Sequence, residues 1–188
     1  MDRVPRVVRR AARRIERLAA MLEPAGADGP RVPDLGRSER PLLLLPGWLG
    51  ARRTFEVLER RLRRDGYGVF ALDLGGLRAS ALAGVDDLAD AVRVGVEDVY
   101  ARHPRLGPLS IVGHSTGGLV AAYYVKKLGG WRRTRALVTL GAPHRGTPLG
   151  WLGLPVSRVA RSLAQVAPAS AFLARLDDGP WPAQVRLA

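Results

Sequence analysis

A chain of 188 residues with 47% apolar content is long enough for one domain with a buried core and too short for two comfortable ones. The absence of cysteine excludes a disulfide framework and a thiolate metal site, and neither a metal nor a cofactor is expected. The formal charge of +13 is almost wholly arginine, since Lys126 and Lys127 are the only lysines. These arginines are scattered, without the interleaved aromatics of a nucleic-acid motif, so a solvated basic surface is favoured over nucleic-acid binding.

Between Val4 and Leu22, apolar residues recur at three- and four-residue steps with Arg9, Arg10, Arg13, Arg14 and Arg17 between them. That spacing predicts a basic amphipathic helix over residues 1–24, packed on the domain or lying on a membrane surface or partner. Glu16, Arg17 and Glu23 interrupt the place of a signal-peptide apolar region, so export by this segment is disfavoured. The longest apolar runs, around Leu42 to Ala51 and Gly117 to Val125, fall short of the ~20 residues of a membrane span. A cytoplasmic protein is the default expectation, with secretion left open.

Residues 25–40 are rich in Gly, Pro, Asp and Arg and read as a linker into the domain of residues 41–188. Pro41 to Leu45 form a continuous apolar run, as expected of a strand buried on both faces, which breaks at Pro46-Gly47-Trp48-Leu49-Gly50. A helix from about Thr54 to Arg64, a short strand from Gly68 to Leu72 and a loop to Gly84 come next. Asp86 is expected to cap a helix striped by Leu88, Val92, Val96 and Val99 that stops at His103-Pro104.

Leu109 to Gly113 reads as a third strand, and an Ala-rich helix begins almost at once after it. Between them stands Gly113-His114-Ser115-Thr116-Gly117, the GxSxG pattern at a strand-to-helix turn. Small neighbours at Gly113 and Gly117 let the strand and helix approach closely while the Ser115 hydroxyl is exposed beside the positive end of the helix. A plain turn capped by Ser115 is the alternative, although a cap needs no glycine on either flank.

Ala136 to Leu140 is a fourth strand, ended by Gly141-Ala142-Pro143-His144-Arg145-Gly146-Thr147-Pro148. The alternation of strand and helix predicts an α/β fold, a mostly parallel sheet with helices on both faces. The loops after the first, third and fourth strands should then meet at one sheet edge. Residues 149–176 are apolar and partly helical, with Val156, Val159, Leu163 and Val166 in one stripe, and form either a cap over the site or ordinary packing helices. Residues 184–188 look like the start of another strand.

Three motifs in order, Leu-Leu-Leu-Pro-Gly-Trp-Leu-Gly at 43–50, Gly-His-Ser-Thr-Gly-Gly at 113–118 and Leu-Gly-Ala-Pro-His-Arg-Gly-Thr-Pro at 140–148, resemble the α/β-hydrolase superfamily, and within it the bacterial triacylglycerol lipases and esterases. The resemblance covers about residues 41–176. It implies Ser115 as the nucleophile of an acyl-enzyme mechanism, with the backbone N–H groups of Thr116 and Trp48 as oxyanion hole and Gly113, His114 and Gly117 as the support of the turn. Leu49, His144, Leu149, Trp151 and Leu152, with Trp48 and Leu154, would line an apolar acyl site. Family members often carry His-Gly where this chain has Pro46-Gly47, a departure that a backbone donor on the next residue tolerates.

The superfamily order is Ser, acid, His along the chain. The histidines are His103, His114 and His144, so none occupies the expected place of the base, and Asp177 and Asp178 sit in a turn rather than after a strand. The expectation is a hydrolase that ends before its acid and base. Two functions are therefore carried forward: a lipase-like serine ester hydrolase acting on a lipid or ester substrate, and an inactive hydrolase-fold protein that binds a membrane surface or a protein.

Overall fold

The computed structural model describes residues 39–47, 55–71, 83–153 and 161–188. Five short runs form one sheet: β1 (Pro41–Leu45), β2 (Gly68–Ala71), β3 (Leu109–His114), β4 (Thr134–Leu140) and β5 (Arg186–Leu187). Their spatial order is β2-β1-β3-β4-β5, and every pairing is parallel. The helices are α1 (Glu56–Arg64), α2 (Val85–Arg102), α3 (Thr116–Lys127), α4 (Arg161–Gln165) and α5 (Ala171–Asp177), with 3₁₀ turns at Gly130–Arg132 and Pro148–Gly153.

The unbroken apolar run of β1 has its reason in the two faces of the sheet. Leu43 and Leu45 join a core with Ile111, Leu119 and Leu137 under α2, α3 and α5. Leu42 and Leu44 enter a smaller core with Phe55, Val69 and Val112 on the α1 side. Alternate side chains of a strand point to opposite faces, so a strand covered on both sides must be apolar at every position. Each fully buried leucine contributes about 1.5–3 kcal/mol. The α3 helix is buried over most of its length, and Phe172 of α5 stacks on its Tyr123 at 5.4 Å between ring centroids.

Three local differences from the sequence reading have physical causes. The β3 strand runs on to His114, because the ladder to β4 continues through His114 and Leu140. The β4 strand begins two residues early, at Thr134, whose buried hydroxyl donates to the Gly130 carbonyl at 2.9 Å. Asp86 does not cap α2. The helix starts at Val85, and Asp87, three residues after the Gly84 cap, accepts the Gly84 N–H at 2.9 Å. Asp86 instead accepts from Arg161 and Gln165 of α4 at 2.8 Å each, while Gln165 Oε1 accepts the Val85 N–H at 2.6 Å. Local spacing suggests a cap, but a distant helix supplies the partners.

The helix expected over 1–24 and nearly all of the linker expected over 25–40 lie outside the described residues, as do Val156 and Val159 of the 149–176 stripe. Of that stripe, Leu163 is half-buried and Val166 is buried. Residues 186–187 pair with Ala136 and Leu137, so the last residues do add a strand to the sheet. No helix among the described residues is long and apolar enough to cross a membrane.

Candidate active site

Successive connections run outward from the middle of this sheet. The chain passes from β1 to β2 on one side and from β3 through β4 to β5 on the other. The order therefore reverses between β1 and β3, and in open parallel sheets the crevice beyond the strand ends at such a reversal is where ligands bind. The segments after β1 and β3, beginning at Pro46-Gly47 and at Ser115, leave the sheet there.

Ser115 lies between β3 and α3 with φ 53° and ψ −127°, a backbone conformation rarely adopted by a residue with a side chain. Holding such a conformation costs of order 1–3 kcal/mol and requires surroundings that over-determine it. Those surroundings are the packed strands and four glycines. The Ser115 N–H donates to the Leu140 carbonyl at 2.8 Å, and its carbonyl accepts from Gly118 at 3.0 Å. Its side chain makes no capping hydrogen bond to α3.

The glycines act through space rather than flexibility. A Cβ on Gly113 would lie 2.6 Å from the Gly118 Cα, and one on Gly117 would lie 2.3 Å from the Leu45 carbonyl oxygen. One on Gly118 would meet the Ala142 Cβ at 2.6 Å. Gly47 is the contact that links the two loops: its Cβ would fall 2.8 Å from the Ser115 Cβ and 3.3 Å from Oγ. The segment after β1 thus lies directly against the serine. Gly47 and Gly118 were visible only as members of their motifs, and nothing local showed that one abuts the serine and the other the loop after β4.

Thr116 opens α3 and is buried, with its amide at the positive end of the helix. Trp48 and Leu49 lie outside the described residues. His114 ends β3, with its ring edge-on to Phe55, the residue before α1, at 6.4 Å; its Nδ1 is buried without a partner among the described residues. His144 lies in the loop after β4, its Nε2 3.2 Å from the Thr139 hydroxyl. Partial desolvation lowers the pKa of its imidazole from the ordinary value, which favours the neutral ring. Leu149, Trp151 and Leu152 are exposed on the 3₁₀ turn beyond that loop, with fractional exposures of 64%, 55% and 69%.

Ser115 Oγ makes no hydrogen bond to a histidine or carboxylate among the described residues. His103 ends α2, and the six residues of β3 then carry the chain about 20 Å from Leu109 to the serine. The backbone of Asp177 and Asp178 accepts from Lys126 and Lys127 at the far end of α3, about 18 Å from Ser115 by helix rise. Neither aspartate is placed to act at the serine. No group of three potential metal-ligating side chains occurs among the described residues.

A parallel sheet whose strand order reverses at a serine in a strained strand-to-helix turn defines an α/β-hydrolase fold. The chain belongs to the serine aminopeptidase S33 family, whose model matches residues 37–181. Among solved structures, the mature lipase BlEst2 of Bacillus licheniformis superposes with a TM-score of 0.65 at 14% identity, over 80% of this chain and 64% of that one. Lipase B of Aspergillus fumigatus gives 0.64 at 19% identity, over 80% of this chain and 36% of that one. A metagenomic carboxyl esterase gives 0.61 at 20%, over 80% and 49%. The chain thus spans from about a third to just under two thirds of these neighbours. No curated protein sequence matches it.

Proposed function

We propose that the chain is a serine hydrolase of carboxylic esters, with Ser115 as nucleophile and lipid-like acyl groups as substrate. The observation that carries this reading is the serine itself, held at φ 53° without capping the helix it precedes. A residue kept in a costly conformation while making no structural hydrogen bond there is one whose hydroxyl is being presented. In the proposed reaction Ser115 Oγ attacks the ester carbonyl, the alcohol leaves, and water hydrolyses the acyl-enzyme. The developing oxyanion is held by the Thr116 amide and by the amide of Trp48, the residue after the Gly47 that abuts Ser115. Leu149, Trp151 and Leu152, with Leu49 and His144, supply the acyl-binding surface.

The family takes its name from peptidases, whereas the structural neighbours are lipases and an esterase. Both chemistries open on the same attack at a carbonyl, and substrate charge separates them. A free α-ammonium group calls for a carboxylate near the nucleophile. Residues 41–47, 113–118 and 140–153 contain no Asp or Glu, and Arg145 stands among them. That composition favours an uncharged or anionic ester over an amine-bearing peptide.

A second reading, a hydrolase-fold protein that binds a membrane surface or a protein without turnover, is favoured by the lack of a hydrogen-bonded histidine at Ser115 among the described residues. In that reading the arginine-rich residues 1–24 contact anionic lipid. One experiment separates the two. The 188-residue chain and its Ser115→Ala variant are incubated with a fluorophosphonate probe and with p-nitrophenyl esters of increasing acyl length. Labelling and turnover that vanish in the variant support the hydrolase. An unlabelled protein with no turnover refutes it in favour of the binding role.

A further inference from the structure

Residues 99–176 contain no Asp or Glu, so a carboxylate partner for any arginine within them must lie outside that stretch. Arg161 of α4 has two. Its guanidinium donates to Asp87 at 2.7 Å and to Asp86 at 2.8 Å, both in the first turn of α2. Gln165 completes the contact by donating to Asp86 at 2.8 Å and accepting the Val85 N–H at 2.6 Å. The fit is close, since a Cβ on Gly84 would lie 2.9 Å from Gln165 Oε1 and 3.1 Å from Arg161 Cζ. A five-residue helix has little stability of its own, and tertiary bonds of this kind hold it in place.

The residues that follow α4 seat the turn beyond β4. The Val166 carbonyl accepts the Thr147 N–H at 2.8 Å. A Cβ on Gly146 would lie 2.6 Å from the Pro168 Cα, and one on Gly150 would lie 2.2 Å from the Ala167 nitrogen. Leu149, Trp151 and Leu152 are exposed, so their own side chains do little to fix them, and their position follows from this backbone seat on residues 166–168. Val166 anchors the seat in the core. Ala169 closes it at φ 60°, a strained conformation for a residue with a side chain, which persists only where its surroundings impose it. Ser170 Oγ donates to the Gln165 carbonyl at 2.6 Å and ties the strained residue back to α4.

We propose that Arg161 is a positioning residue for the acyl-binding turn Pro148–Gly153: by holding α4 on the start of α2 it fixes the seat on which that turn rests. The acyl-binding role rests on the ester-hydrolase reading of Ser115. The loop after β4 is tied to the serine at its near end, where the Leu140 carbonyl accepts the Ser115 N–H, and to Val166 at its far end. Freeing α4 therefore loosens the turn and leaves the serine held. The side chains of Arg161, Asp86 and Asp87 keep 38%, 23% and 21% of their surface exposed, which opens the contact to screening by salt.

Amide hydrogen exchange of the 188-residue chain and its Arg161→Met variant tests this without requiring activity. Residues 146–153 and 161–168 should exchange severalfold faster in the variant, and faster in the parent at about 1 M salt, while α3 stays unchanged. Arg175→Met removes the same charge from an exposed position on α5 and should match the parent. With p-nitrophenyl esters, Arg161→Met should raise KM severalfold for dodecanoate and leave kcat and the acetate KM unchanged. Arg161→Lys, which keeps the charge but loses the two-pronged fork, should fall between. Unchanged exchange in residues 146–153, faster exchange through α3 as well, or an equal loss of kcat on both esters overturns the proposal. A parent that turns over no ester refutes the hydrolase reading of Ser115 instead, and exchange alone then decides whether Arg161 positions the turn.

Discussion

Gly117→Ala isolates the close approach that shapes the serine turn. In a helix the exchange of Gly for Ala ordinarily gains up to about 1 kcal/mol. Here the added methyl would lie 2.3 Å from the Leu45 carbonyl oxygen and 2.5 Å from that of Pro46. Both obstacles are backbone, and neither β1 nor α3 can retreat, because Leu45 is fully buried and α3 is packed at Gly113 and Ala142. Overpacking of this kind costs about 1–3 kcal/mol, which exceeds the propensity gain over most of its range. A net loss of about 1–2 kcal/mol corresponds to about 2–8 °C in melting temperature for a chain of this size. Gly107→Ala is the control, since nothing lies within 4 Å of its added methyl. Urea unfolding monitored by far-ultraviolet circular dichroism, with thermal melts of all three proteins, measures the effect. A Gly117→Ala variant as stable as the parent would refute the claim that this glycine is required by contact with β1.

Ser115→Gly releases the strain at φ 53° but adds the unfolded-state entropy of glycine, about 0.5–1 kcal/mol, against a strain of about 1–3 kcal/mol. The expected result is unchanged or raised stability by denaturant titration, with all probe labelling lost; marked destabilisation would show that the hydroxyl is structural. Tyr100→Phe removes a donor that reaches the Gly107 carbonyl at 2.8 Å and the Arg133 carbonyl at 3.3 Å, and should cost about 1 kcal/mol in urea melts. The His144 imidazole has its folded-state pKa below its unfolded value, so the unfolded chain binds the proton first. Its contribution therefore lowers stability as pH falls through about 6.5 towards the folded pKa, and levels off below that. His144→Gln should flatten this part of the stability-pH curve, and an unchanged curve would refute it.

Much of the fold was legible locally. Leu42 to Leu45 could be read as a doubly buried strand because burial on two faces leaves no polar position, and the GxSxG turn because strand, glycines and Ala-rich helix are contiguous. Asp86 marks the limit of such local patterns. Spacing within one helix suggested a cap, while its partners Arg161 and Gln165 come from a helix some 75 to 79 residues later.

By itself, then, the sequence determined the elements, their parallel α/β arrangement and the strained serine, because periods of 2 and 3.6 residues and turn chemistry are local properties. Only the tertiary structure decided that Gly47 lies against Ser115 across 68 residues of chain, that the Asp177 and Asp178 backbone sits at the far end of α3, and that the Tyr124 hydroxyl is buried without a partner among the described residues. Those facts depend on strand order and on which helix ends meet. No pattern within a single element carries that information.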